Sequence, residues 1–195
     1  MIGKLIKSAG YLGLLMVLWI SAAEAQVEAG DLQIAGTACL ITDAEQIGKV
    51  EIIDGNLVLP IALRVQAAGG RERLKRGSCG NALPLKVEEG YRLRISDVAV
   101  RANLQLPAKA QGQIQVEIFQ AGSRGLILKA TDKAAEGRLN RSYVLASGSA
   151  AELVTECGAS LILRAQGSMI VMNAATRGTG SLGLLRARVT VEKCL

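Results

Sequence analysis

The chain has 195 residues, no histidine, a formal net charge of +6, and one tryptophan, three tyrosines and one phenylalanine as its only aromatic residues. Without histidine, a Ser-His-Asp triad, a Cys-His pair and a histidine-ligated zinc site are excluded by composition. So few aromatic faces also argue against a row of stacking platforms for sugar rings or for single-stranded nucleic acid.

Lys4 and Lys7, the apolar run Tyr11 to Ile20 and the small residues Ala23 and Ala25 before Gln26 have the layout of a secretory signal peptide. The run is short against the roughly 20 residues that span a bilayer, so no transmembrane anchor is expected after cleavage. Removing residues 1–25 leaves 26–195 as a single secreted domain, still basic and long enough to bury a core. A secreted or periplasmic compartment is oxidising, which points Cys39, Cys79, Cys157 and Cys194 toward disulfides.

Further along, Lys49 to Ile53 and Leu57 to Leu63 flank Asp54-Gly55-Asn56 and read as a hairpin. Pro60 lacks an amide, so its strand is expected at an edge or with a bulge. After Gly69-Gly70 comes the densest charge run, Arg71, Arg73, Lys75 and Arg76, interrupted by Glu72 and read as a flexible basic loop. Clustered cations of this kind attract phosphate, sulfate or acidic glycans. Tyr91 to Leu106 alternates apolar with polar over a long span, the signature of a half-buried strand. Arg92 and Arg94 share one of its faces and could extend the basic patch; Asp97 and Arg101 fall on the other unless a bulge intervenes.

Gln113 to Phe119 repeats the alternation with one break, at Phe119. Gly125 to Ala130, Arg141 to Ala146, Ala159 to Ala165, Ser168 to Met172 and Leu184 to Val191 are further candidate strands, with Gly122, Gly137, Ser147-Gly148-Ser149, Gly167 and Gly178 to Gly183 as turns. Lys129 to Leu139 comes nearest to a helical period, with a short helix and a charged loop both open. Asn140-Arg141-Ser142 matches the N-glycosylation acceptor pattern, which matters only in a eukaryotic host.

Many short strands with recurrent turns imply an all-β fold, an antiparallel β-sandwich stabilised by disulfides. Four cysteines allow three connectivities, among which sequence alone does not choose. The expected pairs are Cys39 with Cys79 and Cys157 with Cys194, each closing a loop of roughly 40 residues worth about 3 to 4 kcal/mol in the chain-entropy model.

Gly36-Thr37-Ala38-Cys39, Arg76-Gly77-Ser78-Cys79, Gly90-Tyr91 and Glu156-Cys157-Gly158 follow one another in an order that resembles the small secreted proteins grouped as domain of unknown function family 4360. The resemblance runs over residues 34–194. It implies a secreted, disulfide-containing, β-rich domain and brings no established catalytic residues.

No catalytic residue, metal or cofactor is assigned. A four-thiolate zinc site lacks any Cys-x-x-Cys knuckle, and Gly178 to Gly183 lacks the Gly-Lys-Ser/Thr ending of a phosphate loop. The expected function is a non-catalytic structural or binding domain whose ligand is an anionic glycan or cell-surface polymer rather than nucleic acid. Arg71, Arg73, Lys75 and Arg76 are its candidate anion-binding residues, with Arg92 and Arg94 as additions. The rival is a carboxylate-dependent hydrolase of such a polymer using two of Glu51, Asp54, Asp97, Glu117 and Glu152, each expected on an exposed strand or turn.

Overall fold

The computed structural model describes residues 27–41, 52 and 55–195. The export segment expected over residues 1–25 lies outside them, as do Lys49 to Glu51, Ile53 and Asp54 of the expected hairpin. The described elements are strands: β1 (Val27–Ala29), β2 (Gln33–Gly36), β3 (Asn56–Leu59), β4 (Leu63–Ala67), β5 (Lys75–Val87), β6 (Tyr91–Leu106), β7 (Gln111–Gln120), β8 (Leu126–Lys133), β9 (Leu139–Ala146), β10 (Leu153–Val154), β11 (Ser160–Met172) and β12 (Gly178–Lys193). Lys129 to Leu139 is the end of β8, a loop and the first residue of β9, not a helix. Among the described residues no helix is long and apolar enough to cross a membrane.

Two six-stranded antiparallel sheets form the sandwich. Sheet A runs β1-β5-β11-β7-β8 with β2 also on β5; sheet B runs β10-β6-β12-β3 with β9 also on β6 and β4 also on β12. Alternation places Leu83 and Leu85 of β5, Ile114, Val116 and Ile118 of β7, and Leu161 and Leu163 of β11 inward from sheet A. Leu93, Ile95, Val98, Val100 and Leu104 of β6 meet them from sheet B. The largest fully buried side chains are all leucine or isoleucine, and burying each contributes about 1.5 to 3 kcal/mol.

The buried positions of β6 change parity between Ile95 and Val98. Asp97 there has φ 49°, and the register with β12 slips from Arg188 opposite Ser96 to Arg186 opposite Ala99. This is a one-residue bulge. It brings Arg101 onto the same outer face as Arg92 and Arg94. A complementary slip lies on β12 between Leu182 and Leu185, so Leu182 and Leu185 both point inward, as Ile95 and Val98 do on β6.

Two stretches expected as turns are strand interior. Gly178 to Gly183 is the start of β12, paired with β4 and β6, and Gly167 lies within β11. The physical reason is space between the sheets: a Cβ on Gly167 would lie 2.8 Å from Leu182 Cδ1, and one on Gly180 only 2.0 Å from Met169 Sδ. Pro60 falls in the break between β3 and β4, which share the outer edge of sheet B along β12.

Cys39 is bonded to Cys79 and Cys157 to Cys194. Around the first bond the chain crosses from one sheet to the other. Gly36 pairs with Cys79 on β5, Ala38 N–H donates to Ser78 O (3.1 Å), Ala38 O accepts from Arg64 N–H (3.3 Å), and Leu40 N–H donates to Ala62 O (2.9 Å). The second bond closes one end of the sandwich, where Cys194 N–H donates to Gly90 O and Gly158 N–H to Tyr91 O, both at 2.8 Å. At the other edge Asp132 of β8 accepts from Arg141 Nη1 (2.8 Å) and from the hydroxyl of Tyr143, both on β9.

Candidate functional site

The register of β4, β12, β6 and β9 lines up two rows of polar side chains across the outer face of sheet B. Thr179 stands opposite both Gln66 and Gln105, and Gln105 opposite Asn140; Ser181 stands opposite both Arg64 and Asn103, and Asn103 opposite Ser142. They face outward because Leu63, Val65, Gly180, Leu182, Ala102 and Leu104 take the alternate, inward positions. Seven of the eight are uncharged donors and acceptors.

The side chains hold one another in place. Asn103 Nδ2 donates to Ser142 Oγ (3.1 Å) and to Asn140 Oδ1 (3.4 Å), Thr179 Oγ1 donates to Gln105 Oε1 (3.4 Å), and Arg177 Nη2 donates to Gln66 Oε1 (2.7 Å). Between them is a groove of about 250 Å³, bounded by Arg64 and Arg177. A second hollow of about 470 Å³ shares Gln105 and Arg177 and continues past Arg138 and Asn140. No carboxylate lines either one. Arg64, Arg101, Arg138 and Arg177 have no ion-pair partner among the described residues. Guanidinium groups in that state offer forked donors to carboxylate or sulfate, while amides and hydroxyls serve hydroxyl groups.

The basic stretch between Gly69 and Cys79 is divided by the fold. Gly69 and Glu72 bridge across a tight turn that leans on residues 174–176, through Gly70 N–H to Ala175 O and Ala174 N–H to Arg73 O, both 3.2 Å. The turn that carries Arg71 and Arg73 thus lies against the segment that leads into Arg177, a groove residue. Lys75 is paired with Glu72 at 2.9 Å, and that contact lowers the Glu72 pKa. Arg76 is on β5, where alternation turns it to the outer face of sheet A.

Arg92 and Arg94 are not part of this cluster. Arg94 lies opposite Thr190 and Asn103 opposite Ser181; nine residues along one strand put the two about 30 Å apart. Both arginines are already engaged: Arg92 Nε meets Glu192 Oε2 at 3.1 Å, and Arg94 is clamped between Glu192 (2.5 Å) and Glu152. Hydrogen bonding from Arg94, then from Arg92, lowers the Glu192 pKa, and the same carboxylates raise that of Arg94.

Of the candidate carboxylates, Glu51 and Asp54 lie outside the described residues. Glu117 is on the outer face of sheet A, Glu152 is held by Arg94, and Asp97 is 3.9 Å from Arg188. Among the described residues no group of three or more Cys, Asp or Glu is arranged to hold a metal ion. The sequence pattern does not show the sheet B rows, because Thr179 and Ser181 lie in a glycine-rich stretch that reads as a turn. Their signal was the run of polar outward positions in Tyr91 to Leu106, at Asn103 and Gln105.

A family model described as Domain of unknown function (DUF4360) matches residues 62–194. No curated protein matches the chain. Among solved structures, TmCBM61 in complex with beta-1,4-galactotriose is similar at 10% identity and TM-score 0.21, over 88% of this chain and 90% of that one. The family 11 carbohydrate-binding module from Clostridium thermocellum, in complex with a mixed-linked tetrasaccharide, is similar at 5% and 0.24, over 87% and 91%. A CBM4 structure is similar at 11% and 0.21, over 83% and 95%.

Proposed function

The chain belongs to the DUF4360 family, and for this member we propose an exported, non-catalytic binding module that holds an anionic, hydroxyl-rich polymer of the cell surface in the groove of sheet B. The observation that carries the reading is the pair of cross-strand rows, Gln66-Thr179-Gln105-Asn140 and Arg64-Ser181-Asn103-Ser142, bordered by arginines that lack acidic partners among the described residues. A polymer of sugar residues presents hydroxyls at intervals, and rows of amides and hydroxyls can exchange hydrogen bonds with several in succession. Carboxylate or sulfate groups would complement Arg64, Arg177 and Arg138, with Arg71 and Arg73 attracting the chain toward the groove end. Disulfides on all four cysteines suit an oxidising compartment and support export, with residues 1–25 as the cleaved signal.

Binding of the disulfide-bonded protein to alginate, polygalacturonate and dextran sulfate, with cellulose oligomers as neutral controls, tests this reading. Replacing both Arg64 and Arg177 with serine is expected to weaken binding to the acidic glycans at least tenfold. Binding should also fall with salt, since the screening length shrinks from about 10 Å at 0.1 M to about 3 Å at 1 M. Equal affinity in wild type and variant, or affinity indifferent to salt, removes the groove as the site. Release of new reducing ends from any of these polymers overturns the non-catalytic reading in favour of the hydrolase.

A further inference from the structure

The only phenylalanine of the chain is not in the core. On β7 the inward positions are Ile114, Val116 and Ile118, so Phe119 takes an outward one and is half-exposed on sheet A. Directly opposite it on β11 is Arg164, an exposed cation with no ion pair among the described residues. The row continues through Ala82 of β5 to Gln33 of β2, and the next row is Glu117, Gln166, Gly80 and Ala35. Ala82 therefore lies between Arg164 and Gln33, and the small residues Gly80 and Ala35 follow Gln166 in the next row. They leave a hollow of about 300 Å³ walled by Phe119, Arg164 and Gln166 on one side and by Gln33 and Ser78 on the other.

We propose that this hollow is a second saccharide site, built for an acidic sugar residue, on the face opposite the sheet B groove. A uronic acid ring has an apolar C–H face, a carboxylate and hydroxyls. Phe119 offers aromatic surface to the first, the Arg164 guanidinium a forked donor pair to the second, and the amides of Gln166 and Gln33 partners for the third. A volume near 300 Å³ is at the small end of ligand pockets and suits one or two rings rather than an extended chain. Gly80 keeps the floor open, and a Cβ there would already lie 3.3 Å from Ala165 O. This site shares the ligand class of the reading above but none of its residues, so either can fail without the other. With both occupied, one molecule would cross-link two polymer chains.

The sole phenylalanine gives ring signals in nuclear magnetic resonance spectra that belong to this site. The disulfide-bonded protein is titrated with an alginate tetrasaccharide, and in parallel with cellotetraose. Expected are shifts of the Phe119 ring with alginate and none with cellotetraose. Arg164→Gln should weaken that response at least tenfold while the amide spectrum stays dispersed. Phe119→Leu, which keeps apolar volume but loses the ring, should weaken the alginate response of the Arg164 side-chain signals. The Arg64→Ser, Arg177→Ser variant should leave the Phe119 response intact. A Phe119 ring unmoved by alginate, an Arg164→Gln variant that titrates like wild type, or equal shifts with both sugars would overturn the proposal.

Discussion

Glycine serves two unrelated purposes in this chain. Gly90 and Gly122 have φ of +84° and +89° with open space where a side chain would go; Gly167 has an ordinary φ but no room. Gly167→Ala is therefore expected to overpack the core against Leu182 and cost about 1 to 3 kcal/mol, read as a lower denaturation midpoint at unchanged slope. A sequence shows the glycine but not which purpose it serves, which is why Gly167 and Gly178 to Gly183 read as turns. Tyr143 supplies a second test at this scale. Burial first, then the hydrogen bond and charge of Asp132, push its hydroxyl up to about 12. A raised folded pKa favours the neutral phenol, so the contact contributes fully below the ordinary tyrosine range near 10 and is lost as pH rises through about 12. The stability difference between wild type and Tyr143→Phe should shrink across that window; a difference constant in pH would show that folding does not raise the Tyr143 pKa.

At the scale of elements, the bulges let two 16-residue strands keep one apolar face each. Asp97 carries the left-handed backbone of the first. Asp97→Val should cost about 1 to 2 kcal/mol through that conformation, whereas Asp97→Gly should not, and equal denaturation midpoints for the two would remove the bulge as the reason for this residue. The bounds of β6 were legible because its alternation is strong enough to survive one slip. β5 was not, since its inward row holds Gly77, Cys79 and Asn81 before reaching Leu83. Asn81 is buried with Nδ2 donating to Pro60 O (3.3 Å) while Oδ1 has no partner in the described structure, so a polar residue interrupts the apolar pattern at an inward site.

Over the whole molecule, period-two patterning and an even cysteine count were enough for a disulfide-stabilised sandwich, but the sheet B rows draw on β4, β6, β9 and β12, spread from Arg64 to Ser181. Pairing between strands so distant in sequence is a tertiary property; alternation sorts each strand into faces without saying which strands are neighbours. The two disulfides separate stability from binding. Each closes a loop of about 40 residues and is expected to contribute about 4 kcal/mol in the chain-entropy model, so replacing either pair with alanine should lower stability similarly. Their surroundings differ. Cys39 bridges to Leu63, and Ala38 O accepts from Arg64 N–H, so the first bond anchors the edge strand that carries Arg64 and Gln66. The second lies beside Gly90 and Tyr91, at the opposite end of β6 from Asn103 and Gln105. Under conditions where both variants remain folded, loss of Cys39–Cys79 should weaken acidic-glycan binding in the sheet B groove severalfold, and loss of Cys157–Cys194 should leave it unchanged. Equal affinities for the two variants would mean that the crossing at residues 36–40 does not hold the groove in shape.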